Sequence, residues 1–134
     1  MNEVVQFLNE NQNGFMATVD QEGKPRVRPF GFMFEQEGKL YFCTSNQKKV
    51  YTEMQAQPWV EYSMMSPQFA WLRVFGKAVF TTDLNLKAKA IESNPMVKGL
   101  YKTPDNPIFE VFCLEEAEGG LFDFSGQPPK KFKL

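Results

Sequence analysis

Apolar residues recur along this chain with two different periods, and the switches between them divide it into segments. Residues 2–12 place Val4, Val5 and Leu8 on one helical face beside Phe7, so the spacing predicts a helix with Asn13-Gly14 as its C-cap. From residue 15 the period falls to two. "FMATVD" (15–20), "PRVRPFGFMF" (25–34) and "LYFCT" (40–44) read as strands, and the short Gly-containing turns between them make an antiparallel meander. "NQKKVYTEMQAQ" (46–57) returns to helical spacing through Val50 and Met54, with Ser45 or Asn46 as N-cap and Pro58 as the stop. "WVEYSMM" (59–65) and "FAWLRVFGKAVFTT" (69–82) are strands again, the second bent or bulged at Gly76.

The last third repeats the theme. "DLNLKAKAIESN" (83–94) predicts a helix capped by Asp83, and "PMVKGLY" a short helical turn. "IFEVFCLE" (108–115) is a strand, "EAEGG" reads as a turn, and "LFDFS" (121–125) as a further strand before a polar tail, "GQPPKKFKL", expected to fray. Roughly six strands joined mostly by short connections argue against a parallel α/β sheet. A small closed antiparallel barrel with a few peripheral helices, mainly β and forming a single domain over residues 1–134, is the economical solution, because closure removes exposed edges.

Composition narrows the chemistry. Fifteen basic and sixteen acidic residues leave a net charge of −1, so no global field draws nucleic acid or an anionic membrane. No stretch approaches the roughly 18 apolar residues of a membrane span, and the two cysteines form neither a disulfide framework nor a zinc spacing. A cytoplasmic protein with no metal site is the expectation. Histidine is absent, which removes imidazole bases, Ser-His-Asp and Cys-His nucleophiles, and His-ligated haem. The 14 phenylalanines fill a core, bury a planar ring, or cover a subunit interface.

Against that nearly neutral background two local clusters of cations stand out. Arg26 and Arg28 lie two apart on a strand and share a face, with Val27 opposite; Pro25, Pro29 and Gly31 weaken the same strand and suit a place where a ligand approaches backbone. Thr44, Ser45, Asn46, Gln47, Lys48 and Lys49 span a strand end and a helix start, where free amides and the positive dipole end converge. Cations at a helix N-terminus are mildly unfavourable, by a few tenths of a kcal/mol, so two of them there want a reason. Either both clusters are simply solvated, or they hold a phosphate between them. Trp71 and Arg73 sit in the longest strand, Trp71 as core filler or as a lid on a planar ligand. Cys43 has no nearby base and reads as a packed thiol, and Glu53, Glu61 and Asp123 read as solvated.

Three motifs in this order carry a resemblance. They are the strand pair "ATVDQEGKPRVRP", a strand ending Phe-Cys-Thr-Ser followed by a basic pair opening a helix, and "WLRVFGKA". Together, over about residues 5–82, they resemble the pyridoxamine 5′-phosphate oxidase-like, FMN-binding split-barrel family. The resemblance implies a six-stranded antiparallel split barrel that pairs as a homodimer, with FMN in the interface groove. By position it implies that Arg26, Val27, Arg28 and Pro29 lie along the flavin and its phosphate, and that Phe42, Cys43 and Thr44 contact the isoalloxazine and ribityl chain. Lys48 and Lys49 hold the phosphate with Val50 beside them, and Trp71 and Arg73 border the ring, from this chain or its partner. It further implies an FMN-dependent oxidoreductase acting on a small molecule, with a non-catalytic FMN or phosphorylated-ligand store as the alternative. The chain departs from the family in having no arginine after Arg73, where pyridoxamine phosphate oxidase itself carries a substrate-binding Arg-rich segment, and no histidine, which nitroimidazole-reductase-like members use. Lys48-Lys49 also stands where Arg-Lys is common.

Overall fold

Alternation decides which side of each strand is buried, and the barrel follows from it. The computed structural model describes residues 1–134. Its elements are α1 (Asn2–Glu10), β1 (Asn13–Val19), β2 (Pro25–Gly31), β3 (Phe34–Gln36), β4 (Lys39–Ser45), α2 (Lys49–Ala56), β5 (Trp59–Met65), β6 (Trp71–Thr81), α3 (Leu84–Ser93), α4 (Pro95–Tyr101), β7 (Phe109–Phe122) and β8 (Lys130–Lys133). One antiparallel eight-stranded sheet runs β2-β1-β5-β6-β7-β4-β3, with β8 added on β7. The protein is mainly β, as its periodicity predicts.

The sheet closes through a single segment. Residues 25–36 pair with β1 as β2, change partner at Phe32 and Met33, and continue along β4 as β3. At the crossing the Phe32 amide donates to Gln12 O (2.9 Å) and the Met33 amide to Tyr41 O (3.0 Å). The expected continuous strand over 25–34 is therefore one strand that serves two neighbours. Tyr62 Oη lies 2.9 Å from Gln12 O and 3.1 Å from Phe30 O, which fastens the corner, and burial pushes its phenol up.

Inward positions of the strands form the main core. Met16, Phe32, Phe42, Tyr62, Leu72, Val74 and Phe112 are buried, joined by Val4 and Leu8 of α1 and by Val50 and Met54 of α2. Aromatic rings dominate the interior: Phe42 meets Phe112 at 5.6 Å and Tyr62 at 4.8 Å between centroids. A second cluster lies on the other side of β4 and β7, where Ala90, Ile91, Val97 and Tyr101 of α3 and α4 cover Tyr41, Phe109, Val111 and Cys113. Burial on both faces is why these two strands read as continuous apolar runs.

Four boundaries depart from the sequence reading. Asn13-Gly14 opens β1 and does not cap α1, whose C-cap is Asn11. A Cβ on Gly14 would stand 2.5 Å from Ser63 O, so close strand approach requires glycine there. Helix α2 is capped by Lys48 in extended conformation with no side-chain bond to the helix. Of the two expected caps, Ser45 Oγ accepts from the Gln47 amide at 3.2 Å, and Asn46 donates through Nδ2 to Pro107 O and Glu110 Oε2, both at 2.8 Å. "EAEGG" forms no turn. It is part of the 14-residue β7, where Phe75 pairs with Glu118 and Lys77 with Glu115, so two residues of β7 oppose Gly76. Glu116 takes a positive φ of 50° at that bulge. Finally, the tail does not fray: β8 pairs with Glu118–Leu121 of β7, because Phe132 and Leu134 alternate inward onto the core.

Candidate ligand-binding cleft

Arg26 and Arg28 lie on the core-side face of β2, opposite Thr18 and Met16, at the end of the barrel where α2 sits. Between β2, the β1–β2 turn and α2 there is a cleft of about 570 Å³, within the range of roughly 300–1,000 Å³ common for small-molecule sites. The turn contributes Asp20, Gln21 and Glu22; β2 contributes Arg26, Val27 and Arg28; and α2 contributes Lys49, Thr52 and Glu53.

The turn is built around one carboxylate. Asp20 Oδ1 accepts from the amides of Glu22 and Lys24, both at 2.9 Å, while Arg26 Nε donates to Oδ2 at 2.9 Å. The Lys24 amide above all, with Arg26 and the Glu22 amide adding to it, holds this carboxyl below the ordinary aspartate range. Arg26 itself remains largely exposed.

Arg28 sits in a tighter arrangement. Its Nη1 donates to Thr18 Oγ1 (2.6 Å) and Met16 O (3.1 Å), and its Nη2 to Glu53 Oε1 (2.8 Å). Thr18 Oγ1 in turn donates to the same Glu53 oxygen at 2.6 Å. Thr18 and Glu53 are 2% and 9% exposed, so the network is satisfied from within the protein. A buried glutamate is tolerated because both of its partners are in place.

Lys49 is different. It is the first residue of α2 and lines the cleft, yet no carboxylate lies within ion-pair distance of it. The helix start beside it has no side-chain cap; the Tyr51 amide donates to Lys48 O at 3.2 Å, which leaves the Lys49 and Val50 amides for an outside acceptor.

The remaining sequence candidates are dispersed. Lys48 precedes the helix and does not line the cleft; its charge is felt instead by the Cys43 thiol. Cys43 lies 3.7 Å from Met33 Sδ, and burial pushes its thiol up to about 12, so it is no thiolate nucleophile at neutral pH. Phe42, Thr44 and Val50 are buried. Val27 and Pro29 lie on the outer face of β2, in register with Ala17 and Phe15. Trp71 and Arg73 sit farther across that face on β6. Trp71 stacks on Phe122 at 5.5 Å, and Arg73 pairs with Glu61 at 3.0 and 3.1 Å. The structure thus brings Arg26, Val27, Arg28 and Lys49 together and leaves the others elsewhere.

Sequence reasoning missed Glu53, which it took as solvated, along with Thr18 and Asp20. One signal was present: Val50, Glu53 and Met54 occupy one helical stripe, so Glu53 stands at a buried position among apolar neighbours.

The sequence model of the pyridoxamine 5′-phosphate oxidase family matches residues 1–119. The chain belongs to that family. A crystal structure of a NimC/NimA family protein from Clostridium acetobutylicum is 36% identical to this family member, covers 100% of it and 92% of the other chain, and superposes with a TM-score of 0.91. A pyridoxamine 5′-phosphate oxidase-related, FMN-binding protein from Nostoc punctiforme is 18% identical over 97% of this chain and 87% of that one, with a TM-score of 0.75. A heme-binding protein from Mycobacterium smegmatis reaches a TM-score of 0.79 at 16% identity, covering 98% of this chain and 56% of that one. The last two share the fold, and their different planar ligands mean that fold alone does not select one. No curated protein matches the chain. No helix of this family member is long and apolar enough to cross a membrane.

Proposed function

We propose that this protein is an FMN-binding flavoprotein, a single domain over residues 1–134, that acts in the cytoplasm as an oxidoreductase on a small molecule. The observation that supports it is the convergence of Arg26, Arg28 and unpaired Lys49 on one cleft at an uncapped helix start, in a chain of this family. The donor set fits a phosphate: Lys49 supplies a free charge, Arg26 an exposed guanidinium, and the start of α2 the amides of Lys49 and Val50. Bound FMN supplies the redox chemistry; the protein's part is to bind, orient and shield.

The cleft alone does not fit the flavin ring, because Val27 is its one apolar lining residue. Val27 is also where the cleft opens onto the outer sheet face, on which Phe15, Trp59, Phe75 and Phe124 are exposed. A second copy of the chain seated on that face would cover the ring, with Trp71 and Arg73 bordering it, and the protein would act as a homodimer.

A second reading, an FMN store without turnover, is favoured by one feature. The three carboxylates of the cleft are each engaged by a cation, Asp20 with Arg26, Glu22 with Lys24 and Glu53 with Arg28, which leaves no unpaired carboxylate beside a ligand. Reduction of the bound flavin by NADH or NADPH, followed by its reoxidation with electron acceptors, separates the readings. Turnover supports the enzyme, and its absence across donors supports the store.

The direct test is the absorbance spectrum of purified protein and its titration with FMN, monitored by flavin fluorescence. The reading expects stoichiometric binding that weakens at least about tenfold in K49A and less than about threefold in K48A. Absence of FMN binding by the unaltered protein would remove it.

A further inference from the structure

The cleft that holds three cations also holds three carboxylates, so its lining is formally neutral: Arg26, Arg28 and Lys49 stand against Asp20, Glu22 and Glu53. A neutral site is an unexpected setting for a dianion. Lys49 alone among the three cations has no carboxylate partner, and Arg28 is the most constrained of them. Two N–H groups of Arg28 are taken by Thr18 Oγ1 and Met16 O and a third by Glu53 Oε1. A phosphate that approaches the remaining guanidinium edge also approaches the Glu53 carboxylate, and the repulsion offsets part of the attraction.

We propose that Glu53 is a specificity-determining residue of the cleft: by holding Arg28 it keeps the site neutral, so that a free small anion is rejected and a phosphate is retained only when an attached ring system adds its own contacts. The inference rests on the flavin-binding reading above. In physical terms the site discriminates by withholding charge. Without the Glu53 charge the lining would be net positive, and inorganic phosphate would occupy it and compete with any phosphorylated cofactor. With Arg28 neutralised, inorganic phosphate meets one unpaired lysine and a helix start. FMN meets the same two groups and gains apolar contact besides.

Glu53→Gln isolates the charge. The glutamine Oε1 accepts from Arg28 and Thr18 as the carboxylate oxygen does, so the network keeps its hydrogen bonds and loses only the negative charge. The experiment titrates apo-protein, wild type and E53Q, with FMN and separately with inorganic phosphate, each at two salt concentrations. The proposal expects E53Q to bind FMN on the order of tenfold more tightly and to acquire inorganic phosphate binding at least about tenfold stronger than wild type. It expects wild-type FMN affinity to fall less than about threefold between low and high salt, and that of E53Q about tenfold. Glu92→Gln, which removes an exposed carboxylate paired with Lys98 outside the cleft, should change either affinity by less than about twofold.

Equal or weaker FMN binding by folded E53Q overturns the proposal, as does an E92Q effect as large as that of E53Q. If E53Q does not fold, the wild-type salt series decides. A loss of about tenfold or more would show a net cationic site and overturn the proposal, and a shallow dependence would support it. If wild type binds no FMN, the flavin reading fails separately. The role of Glu53 is then read from inorganic phosphate alone: gain of phosphate binding in E53Q keeps it, and no gain removes it.

Discussion

Two arginine–glutamate pairs join neighbouring elements of this barrel, one in the cleft and one on the outer sheet face, and their differences are instructive. Arg73 and Glu61 have the better mutual geometry, a two-pronged pairing at 3.0 and 3.1 Å that draws the arginine pKa upward, chiefly through the hydrogen bond. Arg28 reaches Glu53 with a single N–H at 2.8 Å. Yet the side chains of the outer pair are 53% and 33% exposed, those of the cleft pair 23% and 10%. Water can replace each partner on the outer face. In the cleft the partners are Thr18, a backbone carbonyl and each other, so loss of one leaves a charge with nowhere to go. Surroundings, more than the shape of the pair, decide what it contributes.

The largest expected effect breaks the cleft pair. R28A should lower unfolding free energy by about 3 kcal/mol in urea titration, since it leaves the buried Glu53 carboxyl with only Thr18 as a partner. R73A should cost less than about 1 kcal/mol in the same assay. Equal costs would abolish the distinction between the regions. Next, T18V removes the hydroxyl that bridges Arg28 and Glu53 while leaving both charges; thermal and urea unfolding should report a loss of about 1–2 kcal/mol. A double-mutant cycle over R73A and E61A should then give a coupling of about 0.5 kcal/mol, discounted for exposure and falling further in high salt.

The smallest effect sharpens the comparison through pH. Asp20 pairs with Arg26 at the solvent-exposed rim of the cleft, and its carboxyl titrates below its ordinary value of 3.8. A depressed carboxylate contributes stability above the unfolded-state value, and that contribution is lost as pH falls through the lowered folded value. Melting temperatures of D20N and wild type should therefore differ at about pH 6 and converge as pH falls below the ordinary carboxylate value of 3.8. A constant difference across that window would mean that hydrogen-bond geometry in the turn, and not charge, carries the effect.

Much of this fold is legible in the sequence because period two is a direct readout of which side faces the core. β1, β5 and β6 alternate buried and open positions along their length, and Gly76 marks the bulge the spacing suggests. Where the reading failed, tertiary pairing outweighed local signals. Glu116 to Gly120 have turn composition, yet β6 on one side and β8 on the other hold them extended around a bulge. The seven expected strand segments become eight strands because one is divided at Phe32 and Met33, the tail adds β8, and 108–115 and 121–125 fuse into β7.

The cleft shows the same division. Strand geometry alone puts Arg26 and Arg28 on one face. Lys48 and Lys49 are indistinguishable in sequence, and only the position of the helix start separates them: Lys48 precedes the helix and Lys49 begins it, lining the cleft. Glu53 was hidden because, although it shares a stripe with Val50 and Met54, a glutamate is rarely buried without a partner and none is near it in sequence. What buries it is Arg28, which lies 25 residues away in sequence.

The partner exchange at Phe32 and Met33 has a mechanical corollary. One stretch of chain carries both cationic strand residues of the cleft and, a few positions later, the edge that seals the sheet onto β4. Peeling that stretch away to admit a bulky guest would unzip the seam and the barrel together. Those amide protons of residues 25–36 that are hydrogen-bonded across the seam, such as Phe32 and Met33, should thus exchange on the timescale of whole-molecule unfolding, and the entrance should behave as a rigid frame and not as a flap.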